Sequence, residues 1–319
     1  MRFRISDFGF RILGKRAFDT QGQPLALQSA ASDTSVESLR TPNATLRKSE
    51  IRNPKSKIRT WLPPILVILL IIGLWELWAF LRFQGLQEGT FDYNLQQSYL
   101  PYAHKVALAF WNNAESFLNA GFVTLGNAFV GFVVGAAVGY ALAVAMARAR
   151  WVERSFYLYI VGSQMVPVIA LAPILYGIIK DEAMLKVTIA AYLTFFPVTV
   201  NVLRGLRSPD PRAIDLMHSY AASTWDTYRK LRMPASLPFF FNALKIASTG
   251  SLIGAIVAEL MGGNKGLGVM IVQIRYTSFT APDKLWALII EIALIGVLFF
   301  GAVTLAERLL TPWQSEYRR

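Results

Sequence analysis

Apolar blocks too long for the interior of a soluble domain recur along this chain, and they limit its fold more than any other feature. Six of them, 61–83, 118–147, 156–179, 185–204, 237–261 and 285–307, each run to about 20–30 residues. A helix needs roughly 18–20 such residues to cross about 30 Å of hydrocarbon. Inside hydrocarbon every backbone N–H and C=O must find an internal partner, which leaves only helices or closed β-barrels. Barrel strands alternate apolar and polar residues over about 10 positions, and these blocks do not alternate. The sequence therefore predicts an all-α membrane protein with six transmembrane helices. Composition agrees, with 54% hydrophobic and 16% charged residues where a soluble domain carries about 25% charge.

Several chemistries are excluded at this level. There is no cysteine, and the two histidines, His104 and His218, lie far apart in sequence. No disulfide, thiolate metal site or metal cluster is expected, and no catalytic cluster or cofactor site is apparent. The net charge of +12 reads as lysine and arginine collected on the cytoplasmic side rather than as a nucleic-acid surface. With the N-terminus inside, the internal loops carry 12 cationic residues and the external segments 7, or 24 against 7 once residues 1–60 are included. The expected topology is a multi-pass membrane chain with both termini cytoplasmic.

Residues 1–60 are basic, rich in Ser, Thr, Gln and Asn, and lack an apolar period. Such a stretch buries too little surface to offset its ordering entropy, so it is expected to be a disordered cytoplasmic tail. The alternative is a basic arm touching anionic lipid headgroups. It is not a signal peptide, because the first apolar block begins only at Trp61 and is too long. Residues 61–313 form the expected permeating domain, and 314–319 a short cytoplasmic tail.

Within the second block, Gly131, Gly135 and Gly139 recur every four residues and so share a helix face that admits close backbone approach. Pro167, Pro173 and Pro197 fall in the third and fourth blocks, where each removes a backbone donor and bends its helix. Between the fourth and fifth blocks lies a long internal loop, 208–236. Asp210 before Pro211 is a helix start, and Ser223 with Asp226 resembles a capping box. Two short helices joined near Tyr220-Ala221-Ala222 are expected, with Pro234 and Pro238 punctuating the entry to the fifth span.

This loop resembles the Glu-Ala-Ala loop of ABC-importer permeases. Asp215 stands at the glutamate position, Ala221 at the glycine, Leu231 at the isoleucine, and Met233-Pro234 at the Leu-Pro pair. Leu74-Trp75-Glu76, Leu100-Pro101, Gly131-Phe132, Phe195-Phe196-Pro197 with Asn201, Gly205-Leu206, Ala258-Glu259 and Gly266-Leu267-Gly268 match the same family in order and spacing. They fit especially its nitrate, taurine, alkanesulfonate and vitamin branch, over about residues 61–313. The resemblance implies a type I importer permease of the MetI-like fold. It implies two permeases, here a homodimer, working with ABC ATPase subunits and an extracytoplasmic substrate-binding protein. The loop residues Asp215, Ala221, Ser223, Asp226, Leu231 and Pro234 would couple ATP hydrolysis to transport. The chain has no phosphate-binding Gly-rich loop with Lys-Ser/Thr, so ATP hydrolysis is expected in a separate subunit. Two departures stand out. Ala221 replaces a glycine, which strains any left-handed turn there, and Asn127 stands where many relatives have arginine.

Candidate path residues are the intramembrane polar ones: Gln164, Thr194, Asn201, Lys245, Ser248, Thr249 and Glu259, with Glu291 either lining the path or pairing with a neighbouring helix. Lys245 and Glu259 are 14 residues apart, near four turns and hence on one face; either they line a path or their heads reach opposite interfaces. Met165, Tyr192, Phe195 and Phe196 suit a flat aromatic substrate or simple packing. The expected substrate is a heteroaromatic vitamin or precursor, riboflavin or a thiamine pyrimidine; nitrate, taurine or an alkanesulfonate is the alternative. An ion channel, which needs a filter-like loop, is the more remote reading.

Overall fold

The computed structural model describes residues 54–86, 90, 99–277 and 282–311. The chain divides at Thr60–Trp61 into two units, and the helical bundle is the second. Most of the expected basic tail (1–53) and the C-terminal tail (314–319) lie outside the described residues.

The helices in chain order are α1 (Pro54–Phe83), α2 (Ala103–Asn112), α3 (Ala114–Arg148), α4 (Arg150–Ser163), α5 (Val168–Ile179), α6 (Glu182–Leu206), α7 (Pro211–Ser219), α8 (Thr224–Thr227), α9 (Met233–Met261), α10 (Leu267–Thr277) and α11 (Pro282–Leu310). Among the described residues five helical segments are long and apolar enough to cross a membrane: Pro63–Phe83, Ala114–Arg148, Glu182–Leu206, Thr224–Met261 and Pro282–Leu310. Their outer faces carry bare apolar side chains, such as the run Ile65–Ile72 on α1, as hydrocarbon requires and water would penalise.

Two expectations need correction. The block 156–179 is not one helix: α4 and α5 meet at a 105° bend over Gln164–Pro167. Pro167 has no N–H, so the Ser163 carbonyl loses the donor four residues on. The Tyr192 hydroxyl donates to that carbonyl instead. Second, Pro234 and Pro238 do not interrupt the entry to the fifth span, for helix runs unbroken from Thr224 to Met261. The misfit of Pro234 is absorbed by a wide π turn, Tyr228–Arg232, in which Met233 N–H donates to the Tyr228 carbonyl. The division between the two units coincides with the expected boundary at Thr60–Trp61, although the first helix reaches across it. Helix α1 starts at Pro54 rather than Trp61, since proline is favoured at the first helical position and lysine and arginine propagate helix well.

Helix α6 is the centre of the bundle, with Leu185, Ile189, Ala190, Val198, Val202 and Leu206 fully buried. On one side α3 presents its glycine stripe. A Cβ at Gly131 would lie 2.4 Å from Ala190 Cβ, one at Gly135 would lie 2.5 Å from the Ala191 carbonyl, and one at Gly139 would lie 2.6 Å from the Phe195 carbonyl. On the other side α9 approaches through Gly254, whose Cβ would be 3.0 Å from Ala190 Cα. Without glycine these backbones could not come so near, and between membrane helices close packing is itself a main source of association. Larger side chains fill the end near α4: Phe132, Met146, Ile160, Val198, Phe241 and Phe299 share one cluster.

Candidate functional site

The polar chemistry concentrates at the two ends of the bundle. At one end, Glu153 of α4 and Arg207 after α6 form a two-pronged fork at 2.6 and 2.5 Å. The carboxylate's hydrogen bond pushes the Arg207 guanidinium still higher than its ordinary value, so the fork stays charged. Beyond it the loop forms a helix pair. Asp210 caps α7 by accepting from Arg212 N–H at 2.8 Å. The helix ends in a left-handed residue, Ala221, at φ 51°. Ala221 N–H donates to the His218 carbonyl and Ala222 N–H to the Met217 carbonyl, at 2.9 and 3.0 Å, the two bonds of a Schellman motif. Ser223 then caps α8, accepting from Asp226 N–H at 3.1 Å and donating to the Asp226 carboxylate at 2.6 Å. Aspartate is a methylene shorter than the usual glutamate, and here it takes the capping hydroxyl while Lys230 pairs with it at 2.9 Å.

Of the loop residues picked from sequence, Asp215, Ala221, Ser223 and Pro234 are exposed, whereas Asp226 and Leu231 are partly buried. The pair also displays two aromatic side chains the sequence reading passed over, Tyr220 and Trp225, 78% and 66% exposed, beside Leu216. Large aromatics on an otherwise polar helix pair have the composition of a docking anchor, and that contrast was visible in sequence. Because φ is positive at Ala221, Ala221→Gly is expected to stabilise the turn by about 1 kcal/mol. Exchange of the Ala221 and Ala222 amides should slow up to about fivefold; unchanged or faster exchange would contradict the strain.

At the other end, the loop between α9 and α10 is stitched to three spans. Glu259 of α9, 2% exposed, accepts from the Thr124 hydroxyl of α3 at 2.9 Å and from Gly268 N–H at 2.9 Å. The same Thr124 oxygen accepts from Leu267 N–H at 2.9 Å. Lys186 of α6 donates to Glu182 at 2.6 Å and to the Lys265 carbonyl at 2.9 Å, with Glu259 3.9 Å away. Glu182 also accepts from Asn264 N–H at 2.8 Å. Gly266 has φ 126°, and a Cβ there would fall 2.1 Å from the Glu259 carboxylate. Thus every strong polar group of Glu259 and Lys186 has a partner, as buried charges require. The i,i+4 spacing of Lys186 from Glu182 is the sequence signal for the contact between those two.

The two ionisable residues expected on one face of α9 each find a partner on another helix. Lys245 pairs with Glu307 of α11 at 3.0 Å, so the two ionisable groups of α9 serve different neighbours. Nor is Glu259 at an interface with its head in water. The remaining path candidates do not converge. Thr194 is buried against Gly135 and donates to the Ala190 carbonyl at 2.9 Å. Asn201 donates to the Pro197 carbonyl at 2.7 Å, Ser248 to the Lys245 carbonyl at 2.8 Å and Thr249 to the Ile246 carbonyl at 2.9 Å. Short polar side chains in helices turn back on their own backbone in this way. Gln164 is exposed at the α4–α5 bend. Glu291 is buried against Gly121, where a Cβ would lie 2.9 Å from its carboxylate. Asn127 donates to the Val123 carbonyl at 3.0 Å. Among the described residues no group of three His, Asp or Glu side chains could hold a metal ion.

With this geometry in view, the likeness to known proteins is specific. Residues 131–312 match the family described as binding-protein-dependent transport system inner membrane component. The formylaminopyrimidine transport permease protein ThiX of Halalkalibacterium halodurans is 32% identical over 256 residues, covering 80% of this chain and 97% of that protein. The riboflavin transport system permease protein RibX of Chloroflexus aurantiacus is 29% identical over 218 residues, 68% of this chain and 81% of that one. A crystal structure of an amino acid ABC transporter with histidines shares the fold, at TM-score 0.55 and 16% identity, over 63% of this chain and 97% of its own.

Proposed function

The chain belongs to the binding-protein-dependent transport system inner membrane components and is an ABC-importer permease, and from that premise we propose that it carries a heteroaromatic vitamin or vitamin precursor across the inner membrane. The observation that carries this reading is the 32% identity to a formylaminopyrimidine permease along 97% of that protein's length. The riboflavin permease among its relatives supports the same chemical class, a flat nitrogen heterocycle. Asn127, which offers no positive charge, fits a neutral cargo better than nitrate or a sulfonate.

Permeases of this family work with ATPase subunits and an external binding protein. In our reading the α7–α8 pair, with Asp215, Ala221, Ser223 and Asp226, docks on a separate ATPase, with Trp225 and Tyr220 as its anchors. Leu231 and Pro234 lie in the helical run that leads from the pair into α9, so a push on α8 moves α9 with it. The permease acts as a homodimer, with both termini cytoplasmic, as the excess of cations on the loop side supports. Lys245 and Glu259 tie helices together, Thr194, Asn201, Ser248 and Thr249 bond back to their own helices, and Gln164 is exposed at the bend. Substrate contacts then fall to other surfaces, completed by the second copy.

The test is uptake in right-side-out vesicles carrying permease, ATPase and binding protein. ATP-dependent entry of formylaminopyrimidine or riboflavin is expected; carriage of nitrate or an alkanesulfonate alone would sink the substrate class. Trp225→Ala should cost about 2 kcal/mol of ATPase association, read by co-purification. In the same vesicles a cysteine replacing Asn264 should react with an impermeant thiol reagent, and one replacing Thr227 should not. The reverse pattern would overturn the orientation.

A further inference from the structure

Two sequence motifs that the transport reading leaves unused meet in the structure. Glu76 of α1 accepts from Ala103 N–H, the start of α2, at 2.8 Å and contacts His104 Nδ1 at 2.6 Å. Trp75 Nε1 donates to the Pro101 carbonyl at 2.9 Å and its ring lies 5.3 Å from that of Trp286 on α11. The Phe83 ring stacks on Tyr102 at 4.8 Å. Trp75-Glu76 and Pro101–His104 therefore form a clamp that fastens α1 to α2 and α11. Below the clamp α1 stands away from the bundle. Among its described side chains only Ala79 and Phe83 are buried, both on the clamp side of Glu76.

The space this leaves is a crevice of about 650 Å³ between α1, α2 and α11. Ile72, Gly73, Val106, Phe110, Ile290 and Leu294 line its body. The Glu76–His104 pair stands at its polar end, 38% and 57% exposed by side chain. The crevice thus joins an apolar slot at membrane depth to a half-exposed carboxylate, the complement of an amphiphile. Water gains nothing from walls so nearly without hydrogen-bond groups. A helix from a second copy is about 10 Å across and would fit only about one and a half turns into this volume. An acyl chain is thin enough to fill it.

We propose that this crevice binds one bilayer phospholipid, an acyl chain in the slot and an ammonium headgroup against Glu76. The lipid closes the gap between α1 and the bundle, and the carboxylate selects phosphatidylethanolamine over an anionic lipid because the ammonium is a charge-assisted donor to it. Gly73 is the natural lever for a test. A Cβ there meets nothing within 4 Å, so a large side chain enters the slot without disturbing the fold. Gly301 on α11 is equally open and lies outside the crevice, and serves as the control.

The experiment is native mass spectrometry of the full chain after exchange into nanodiscs of equal phosphatidylethanolamine and phosphatidylglycerol. The parent and Gly301→Phe should each retain about one phosphatidylethanolamine per chain, and Gly73→Phe should hold it at least about tenfold more weakly. Glu76→Gln should keep a lipid but lose the headgroup preference. Undiminished retention by Gly73→Phe overturns the proposal. So does equal retention of the two lipids by the parent, or a Gly73→Cys chain that crosslinks to a second copy instead of protecting its thiol with lipid.

Discussion

Gly135→Val is expected to abolish the folded permease. A Cβ at that position already lies 2.5 Å from the Ala191 carbonyl, 2.7 Å from Thr194 Cβ and 2.9 Å from Ala191 Cα, and valine adds two methyl groups beyond it. The obstacles are mostly the backbone of α6, which cannot rotate aside, so α3 and α6 must separate along their length. Overpacking costs about 1–3 kcal/mol where side chains can yield, and here the contact that must yield is one of the two most extensive helix–helix interfaces, the other being α6–α9. We expect at least about 3 kcal/mol of destabilisation, seen as aggregation on size exclusion and loss of uptake. Gly126→Val on the same helix is the control, since a Cβ there meets nothing within 4 Å. If Gly135→Val purifies and transports like Gly126→Val, α3 and α6 are not packed backbone to backbone.

Glu259→Leu should be nearly as damaging, for a different reason. The leucine has similar bulk, but the Gly268 N–H loses its acceptor, the Thr124 hydroxyl keeps only the Ala120 carbonyl at 3.2 Å, and Lys186 loses one of two carboxylates near its ammonium. Removing one partner of a buried charged network costs about 3–5 kcal/mol. The melting temperature should fall and the Leu267 and Gly268 amides should exchange faster, marking release of the loop between α9 and α10. Thr124→Val alone should do less, and the double variant should lose less than the sum, because both act on one network. Independent, additive losses would mean that Glu259 does not hold the loop through Thr124.

Much of the fold was legible before any coordinates. Five of the six apolar blocks are long spanning helices among the described residues and the other is a bent pair, because hydrocarbon offers the backbone no partner, and the glycine repeat marked the face of α3 that meets a neighbour. Both helix starts in the long loop were readable from Asp210-Pro211 and Ser223, since capping is decided within four residues of chain. Ala221 was flagged as strained if the turn were left-handed, and its φ of 51° makes it so. Local chemistry was less certain wherever proline was concerned. Pro167 breaks its span by 105°, yet Pro197 and Pro238 sit inside continuous helices. Whether a proline bends a helix depends on what else satisfies the freed carbonyl.

The pairing of charges was beyond the sequence altogether. Periodicity places Lys245 and Glu259 on one face of α9, and that much is correct for a helix. It cannot say that Glu307 lies opposite the first and Lys186 and Thr124 opposite the second, across 62, 73 and 135 residues of chain. Nor could it show that Trp75-Glu76 and Pro101–His104 close on one another and leave a crevice beneath. Amino-acid order determined which segments enter the membrane, where helices start and which face must be smooth, because those follow from transfer into hydrocarbon and from hydrogen bonds within a few residues. Only the tertiary structure decided which buried group answers which, because such a partner is chosen by how helices distant in sequence pack side by side.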